Sequence, residues 1–334
     1  MKPYKIVFAD DRFGERYEEY EFSQLRELNA ETVVYPEGAL QTDEEVIAAC
    51  KDADAVFLNL LPNFREERVI RGLENCKVIN RYGVGYDNVN VPVCTQMGIQ
   101  VTYVPDYCMY DVSDHALALL LACLRQIPLR DRKIRQGAWN IPNGGIAHRL
   151  KGRTLGLVGC GRIARCLAKK VSGFEFEEVL GYDPYLSAET LRQAGITKVE
   201  LEELLRRSDF VSLHMPVTEQ TRGIMNRKTI GMMKESAILI NTGRGPLIDD
   251  EALTEALETG KIGGAGLDTH CIEPLPADSA YRRLDNVVLT DHAAYGTVEG
   301  EKELRIKSAR NVAAILSGSP LDSLYKVNEV PCRP

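Results

Sequence analysis

The sequence predicts an α/β fold of two domains, each a parallel sheet with flanking helices, and three observations carry that expectation. Short apolar runs alternate with stretches of helical period along nearly the whole chain. One run, Leu155–Val158, passes straight into the glycine turn Gly159-Cys160-Gly161 and then into a pattern with Ile163, Leu167 and Val171 on one side. The 334 residues leave room for about two domains.

Composition narrows the function. The chain is 44% apolar and 27% charged, as a globular protein is. A net charge of −7 speaks against nucleic acid or an anionic membrane as partner. No run of about 18 apolar residues occurs, and Met1-Lys2-Pro3-Tyr4 enters a strand without a signal-peptide pattern, so a cytoplasmic place is expected. Nine cysteines without C-x-x-C spacing fit reduced thiols better than disulfides or zinc, and no metal site is expected.

Taken in order, Lys5–Ala9 reads as a strand and the acidic stretch Arg12–Leu28 as amphipathic. Strands follow at Ala30–Tyr35, Ala55–Asn59 and Lys77–Asn80, with helical patterns near Asp43–Cys50 and Phe64–Gly72 between them. This first sheet has no Gly-x-Gly-x-x-Gly at its first turn, so it is not a second dinucleotide site. After its fourth strand comes Arg81-Tyr82-Gly83-Val84-Gly85, where glycines two apart leave backbone N–H groups free to hold an anion such as a carboxylate. Gln100–Val104 is a further strand. Ser113–Arg125 is apolar nearly all round, so it should be buried between domains or subunits, with His115 a satisfied residue inside it. The basic Arg130–Arg135 and the single tryptophan, Trp139, read as a linker to the nucleotide strand.

The stretch Leu155–Ala164 is strand, tight turn, helix, with Gly-x-Gly-x-x-Ala at the junction. Gly159 permits the turn, Gly161 lets the backbone approach a pyrophosphate, and Ala164 lets helix and strand pack closely. The next strand, Val179–Tyr182, ends in Asp183, 19 residues after Ala164, where an acid binds a ribose 2′-hydroxyl. NAD is therefore the expected cofactor. Further strands, Asp209–Leu213, Ala237–Asn241, Gly264–Asp268 and Val287–Thr290, lead into His214, Arg244, Glu273 and His292. A helix over Glu301–Leu316 is expected to return to the first domain.

Ligands of open parallel sheets sit outside the carboxyl ends of the strands, and Arg244, Asp268, Glu273 and His292 all lie at or just after such ends. A guanidinium binds a carboxylate through two parallel hydrogen bonds and polarises an adjacent carbonyl. An imidazole exchanges a proton near neutral pH, and a carboxylate beside it fixes its tautomer. With a nicotinamide, these types suit hydride transfer to a 2-oxo acid.

At these residues the chain resembles the D-isomer-specific 2-hydroxyacid dehydrogenases over nearly its whole length. The likeness rests on Val158–Ala164 with Asp183, His214-Met-Pro-Val-Thr218, Asn241-Thr-Gly-Arg-Gly245, Glu273-Pro-Leu275 and His292-Ala-Ala294. It implies two Rossmann-like or flavodoxin-like domains with the active site in the cleft between them. Residues 1–105 plus 296–334 would bind substrate and 106–295 would bind NAD. It implies a catalytic set of Arg244, Glu273 and His292, with Asp268 on the nicotinamide carboxamide. The cofactor positions would be Gly159, Gly161, Arg162, Ile163, Asp183, Pro216, Thr221, Thr242, Gly243, Arg244, Asp268 and His292. Arg81, Val84, Gly85, Arg244, His292 and Tyr295 would meet the substrate. The implied activity is NAD-dependent interconversion of a small D-2-hydroxy acid and its 2-oxo acid, of glyoxylate, hydroxypyruvate or pyruvate type, by a homodimer. Phosphoglycerate oxidation, with Arg81 on the phosphate, is the alternative enzyme. Asp106-Tyr-Cys108, Asp114-His-Ala116 and His292–Tyr295 look most like the bacterial relatives of the C-terminal-binding proteins, which leaves an NAD(H)-sensing, corepressor-like binding protein as the alternative outside catalysis. Asp291 and Tyr295 depart from the commoner residues of the family; Tyr295 would line or narrow the substrate side-chain pocket.

Overall fold

A computed structural model describes residues 2–59, 62–139 and 147–330. The chain forms two compact units, Met1–Tyr107 with Thr297–Pro334, and Cys108–Gly296.

The first unit alternates β1 (Tyr4–Asp11), α1 (Glu21–Leu25), β2 (Ala30–Pro36), α2 (Asp43–Cys50), β3 (Ala55–Leu58), α3 (Glu67–Arg71), β4 (Val78–Arg81), α4 (Val91–Gln96) and β5 (Gln100–Thr102). The strands pair in parallel in the order β2-β1-β3-β4-β5. β3 and β4 are buried on both faces, which is why they read as unbroken apolar runs.

The stretch Arg12–Leu28 is helical only over Glu21–Leu25. Gly14 (φ +64°) and Arg16 (φ +61°) take left-handed backbone that an α-helix cannot contain. The segment instead wraps a fully buried arginine. Arg305 donates to both oxygens of Glu21, at 2.7 and 2.9 Å, and to the Glu15 carbonyl at 2.7 Å. The rings of Phe13, Tyr17 and Tyr20 lie about its guanidinium.

The second unit opens with α5 (Met109–Arg125) and α6 (Ile127–Arg135), then runs β6 (Thr154–Val158), α7 (Arg162–Lys170), β7 (Glu178–Tyr182), α8 (Ala188–Gln193), β8 (Thr197–Lys198), α9 (Leu201–Arg207), β9 (Phe210–Leu213), α10 (Arg227–Met232), β10 (Ile238–Asn241), α11 (Asp250–Glu258), β11 (Gly264–Leu267) and β12 (Val287–Leu289). Its parallel sheet has the order β12-β11-β10-β9-β6-β7-β8. The chain builds outward from β6 to β8, then restarts on the other side at β9. The strand order therefore reverses beside the glycine turn, where open α/β sheets bind their ligands.

One expectation needs correction here. Residues 130–135 are not a linker but part of α6, a helix whose proline at position 128 sits in its first turn, where a missing N–H costs nothing. Within the second unit α5 buries Val112, Ala116, Leu119, Leu120 and Leu124 and packs on α7, β10 and β11.

The chain returns to the first unit as α12 (Val298–Ser317), capped by Thr297, whose hydroxyl accepts the Gly300 N–H at 2.9 Å. Arg305 stands on α12, so its ion pair with Glu21 ties this helix to α1. Among the described residues no single helix is long and apolar enough to cross a membrane; α5 and α6 reach that only as a pair bent by 59°. The eight described cysteines are free, and the ninth, Cys332, lies outside the described residues.

Candidate active site

The cofactor side is built at the carboxyl ends of β6, β7, β9 and β10. Gly159 has φ +84°, and a Cβ there would stand 2.9 Å from the His214 carbonyl, so both conformation and crowding demand glycine. Gly161 caps α7, and the place a Cβ would take there is open. A diphosphate can reach the backbone at that point. The N–H groups of Arg162 and Ile163 belong to the first turn of α7, which has no intrahelical acceptors for them. Ala164 is fully buried against the sheet, and Cys160 is buried beside it. Burial pushes the Cys160 thiol up to about 12, so it stays protonated and unreactive.

Asp183 closes this turn. One of its oxygens accepts the Cys160 N–H at 2.9 Å; the other accepts the N–H groups of Tyr185 and Leu186 at 2.9 and 3.1 Å. A carboxylate has roughly four acceptor positions, so three internal donors leave capacity for a ribose hydroxyl. Pro216 and Thr221 form one turn, in which the Thr221 hydroxyl donates to the Pro216 carbonyl at 2.7 Å. His214, just before it, hydrogen bonds Ser212 at 2.8 Å, and burial pushes its imidazole down to about 4, so it is neutral at pH 7.

After β10, Asn241 shapes the loop that carries Thr242, Gly243 and Arg244. Its side chain accepts the Gly243 N–H and donates to the Arg244 carbonyl, both at 3.0 Å. The Thr242 hydroxyl is buried with no hydrogen-bond partner among the described residues. An unmet buried hydroxyl at a strand end, the open Gly161 and the remaining capacity of Asp183 together fit a dinucleotide. Arg244 is half-buried, and its Nη1 donates to the Gly243 carbonyl at 2.9 Å. The next residue, Gly245, touches the His270–Cys271 backbone so closely that any Cβ would collide with it. The arginine loop is thereby seated on the turn that carries Glu273.

His292 and Glu273, 19 residues apart in sequence, meet: His292 Nδ1 lies 2.8 Å from Glu273 Oε2. The other Glu273 oxygen accepts the His270 N–H at 2.9 Å. Burial pushes the Glu273 carboxyl up, but the hydrogen bonds from His292 and from the His270 backbone outweigh it and hold the group below its ordinary value. Glu273 is therefore an anion at neutral pH, so Nδ1 carries the proton and Nε2 is the nitrogen left to exchange one with a substrate. Tyr295 packs edge-on to this imidazole, with ring centroids 6.0 Å apart. Asp291 is exposed.

Asp268, expected at the nicotinamide carboxamide, lies at the end of β11 beneath the His292 strap. It is fully buried, and its oxygens accept the Thr290 hydroxyl at 2.6 Å and the N–H groups of Ala293 and Ala294 at 2.9 and 3.2 Å; His115 Nε2 stands 3.3 Å away. In-chain donors surround the carboxylate, which gives it a supporting part under His292. His115, read as a satisfied residue, is tied to this carboxylate and to Thr290. His270 and Thr290 had no role in the sequence reading; the only signal for them is their place beside the strand-end residues Asp268 and His292.

In the first unit, the end of β4 and the loop after it carry the expected substrate residues Arg81, Val84 and Gly85. Arg81 is buried, and its guanidinium lies beside Gly83 (φ +134°). The N–H groups of Val84 and Gly85 donate to no acceptor among the described residues.

A sheet of this order, with its glycine turn, strand-end acid and imidazole–carboxylate pair, belongs to a nicotinamide-dependent oxidoreductase. Comparison with known proteins gives the family. The NAD-binding domain of the D-isomer specific 2-hydroxyacid dehydrogenases matches residues 117–294. The chain belongs to that family: an enzyme that binds NAD and moves a hydride between the cofactor and a 2-oxo/2-hydroxy acid pair. Glyoxylate reductase of Korarchaeum cryptofilum is 36% identical over 100% of this chain and 99% of its own length. D-3-phosphoglycerate dehydrogenase of Methanocaldococcus jannaschii is 37% identical over 87% of this chain, which spans 55% of that relative. Among solved structures, a glyoxylate reductase from Paecilomyes thermophila superposes with a TM-score of 0.87 at 28% identity, over 98% of this chain and 99% of that one.

Proposed function

We propose that the chain interconverts a small, unphosphorylated 2-oxo acid of the glyoxylate, hydroxypyruvate or pyruvate type and its D-2-hydroxy acid, with NAD(H). The observation that carries the assignment of roles is the His292–Glu273 pair, an imidazole held with Nε2 free for a proton. In this reading the bound nicotinamide supplies or takes the hydride. Arg244 holds the substrate carboxylate and polarises the neighbouring carbonyl. His292 Nε2 gives the proton to the carbonyl oxygen during reduction and takes it back during oxidation. Glu273 keeps the imidazole in that tautomer. The N–H groups of Val84 and Gly85 receive the carboxylate, and Tyr295 limits the side chain. Thr242, Gly243, Pro216 and Thr221 face the cofactor, with Asp183 on its adenosine ribose.

The second reading, phosphoglycerate oxidation, is favoured by the relatives that carry that name. The buried guanidinium of Arg81 disfavours it, since a phosphate needs a cation that projects towards it. NADH oxidation with glyoxylate, hydroxypyruvate, pyruvate and 3-phosphohydroxypyruvate tests both. The highest kcat/KM is expected on one of the first three. A preference for the phosphorylated acid overturns our reading, and tight NADH binding without turnover on any of them supports the NAD(H)-sensing binder.

Cofactor choice follows from Asp183. Its carboxylate accepts from a ribose 2′-hydroxyl but repels a 2′-phosphate, and Pro184, Tyr185 and Leu186 bring no cation to offset it. NADH is expected to exceed NADPH in kcat/KM by about 2 kcal/mol, the scale of one charged hydrogen bond, or roughly 30-fold. Equal values with the two cofactors would refute the assignment.

We also place the enzyme in the cytoplasm as a homodimer without nucleic-acid or membrane partners. Free thiols and a net charge of −7 support the first and last of these. Exposed Ile127 and Ile134 on α6, a helix with no buried residue, support the dimer, for which light scattering at micromolar concentration is the check.

A further inference from the structure

His292 has φ +58°, left-handed backbone that a residue with a Cβ rarely adopts unless its surroundings hold it there. The surroundings are specific. The His292 N–H donates to the Asp268 carbonyl at 2.8 Å, and the next two N–H groups, of Ala293 and Ala294, donate to the Asp268 carboxylate. One residue therefore takes three consecutive N–H groups of the strap that carries the imidazole.

That carboxylate is itself oriented. Thr290 donates its hydroxyl proton to Asp268 Oδ1 at 2.6 Å, and His115 Nε2 lies 3.0 Å from the same hydroxyl oxygen. Since the hydroxyl proton goes to the carboxylate, His115 must be the donor to the hydroxyl. The Thr290 carbonyl accepts from His270 Nε2 at 3.0 Å. His270 also gives its backbone N–H to Glu273, so it braces both the strap and the carboxylate that holds the imidazole. Burial pushes the Asp268 carboxyl up, yet the hydrogen bonds from His115 and Thr290 hold it below its ordinary value, so it remains the acceptor this network needs.

We propose that Thr290 is a positioning residue for the proton-exchanging histidine: gripped at its hydroxyl by His115 and at its carbonyl by His270, it orients Asp268, which locks the left-handed backbone of His292. The inference rests on the assignment of His292 above. It adds that the imidazole is aimed by its strap as well as by Glu273.

The test compares Thr290→Val, which keeps the shape and removes the hydroxyl, with Thr290→Ser, which restores it. In the full-length enzyme kcat for 2-oxo acid reduction is expected to fall about tenfold in Thr290→Val, with KM for the acid and the dissociation constant of NADH within twofold of wild type. Thr290→Ser is expected to recover most of kcat. A second readout needs no turnover: the downfield proton resonance of the His292 Nδ1–H, identified by its loss in His292→Ala, should shift or broaden in Thr290→Val and return in Thr290→Ser. If Thr290→Val does not fold, His115→Leu against His115→Gln replaces it, since glutamine keeps a donor; a three- to fivefold loss of kcat and the same spectral change are expected for leucine only. Unchanged kcat and an unchanged resonance in Thr290→Val, or a loss that serine does not restore, overturn the proposal. If wild type turns over no 2-oxo acid, the functional reading has failed instead, and the resonance alone then decides whether Thr290 aims His292.

Discussion

Replacing His292 by alanine is expected to lower kcat for 2-oxo acid reduction by about 10²–10⁴, the range that loss of a positioned acid or base produces. Hydride transfer to a carbonyl leaves charge on the oxygen, and in the proposed mechanism only the Arg244 guanidinium would then stabilise it. The structure presents one imidazole suited to the task, with Nδ1 committed to Glu273 at 2.8 Å and Nε2 left over. The other imidazoles of this region are occupied: His270 holds the Thr290 carbonyl, His115 the Thr290 hydroxyl and His214 the Ser212 hydroxyl. NADH affinity should change little, because in the proposed assignment most of the nucleotide contacts lie on the glycine turn, Asp183 and the loops after β9 and β10. Stopped-flow measurement of the hydride step, with NADH binding measured separately, is the check. A loss below tenfold would mean that the proton comes from elsewhere, with solvent the first alternative.

Glu273 carries the pH consequence. Its folded-state value is depressed, so the stabilisation it gives as an anion is present above the ordinary glutamate value of about 4.3 and disappears only as the pH falls through the lower folded value. The wild-type rate should therefore show no acid limb from this group at or above pH ~4.3. Glu273→Gln, which cannot carry the charge at any pH, should lower kcat throughout, by less than His292→Ala.

The elements that the sequence revealed best are those whose burial is two-sided. β3, β4, β6, β9 and β10 lie between layers and so read as unbroken apolar runs. What it concealed is tertiary. The segment before α1 has the composition of an amphipathic helix, yet its aromatic residues close on Arg305, whose partner Glu21 is 284 residues away. β8 is two residues long, too short for any period to show. The site divides in the same way. Gly159, Gly161 and Asp183 are legible because one strand–turn–helix unit and the next strand contain the geometry they need. His292 and Glu273 were legible only as residues at strand ends, and their catalytic roles came from the family resemblance, since no local spacing predicts their contact. Thr290 and His270 stayed hidden because their roles exist only once β11 and β12 lie side by side.

Arg244→Ala is expected to reduce kcat/KM by about 10²–10⁴, through a raised KM and a lowered kcat together. Each charge-assisted hydrogen bond contributes roughly 1.5–3 kcal/mol, and a guanidinium makes two to a carboxylate. Because in the proposed mechanism the same group also polarises the carbonyl being reduced, part of the loss arises only in the transition state and so appears in kcat. The backbone of the loop should survive the substitution. Asn241 holds the Gly243 N–H and the Arg244 carbonyl, and Gly245 stays packed on the His270–Cys271 backbone, so the change removes a side chain without releasing its loop. Arg244→Lys should recover charge but not the planar fork, and so regain KM better than kcat. Guanidinium ion added at millimolar concentration to Arg244→Ala should restore part of kcat but nothing in wild type. If Arg244→Ala raised KM with kcat unchanged, the arginine would be an anchor for the carboxylate alone, and the polarisation of the carbonyl would have to come from another group.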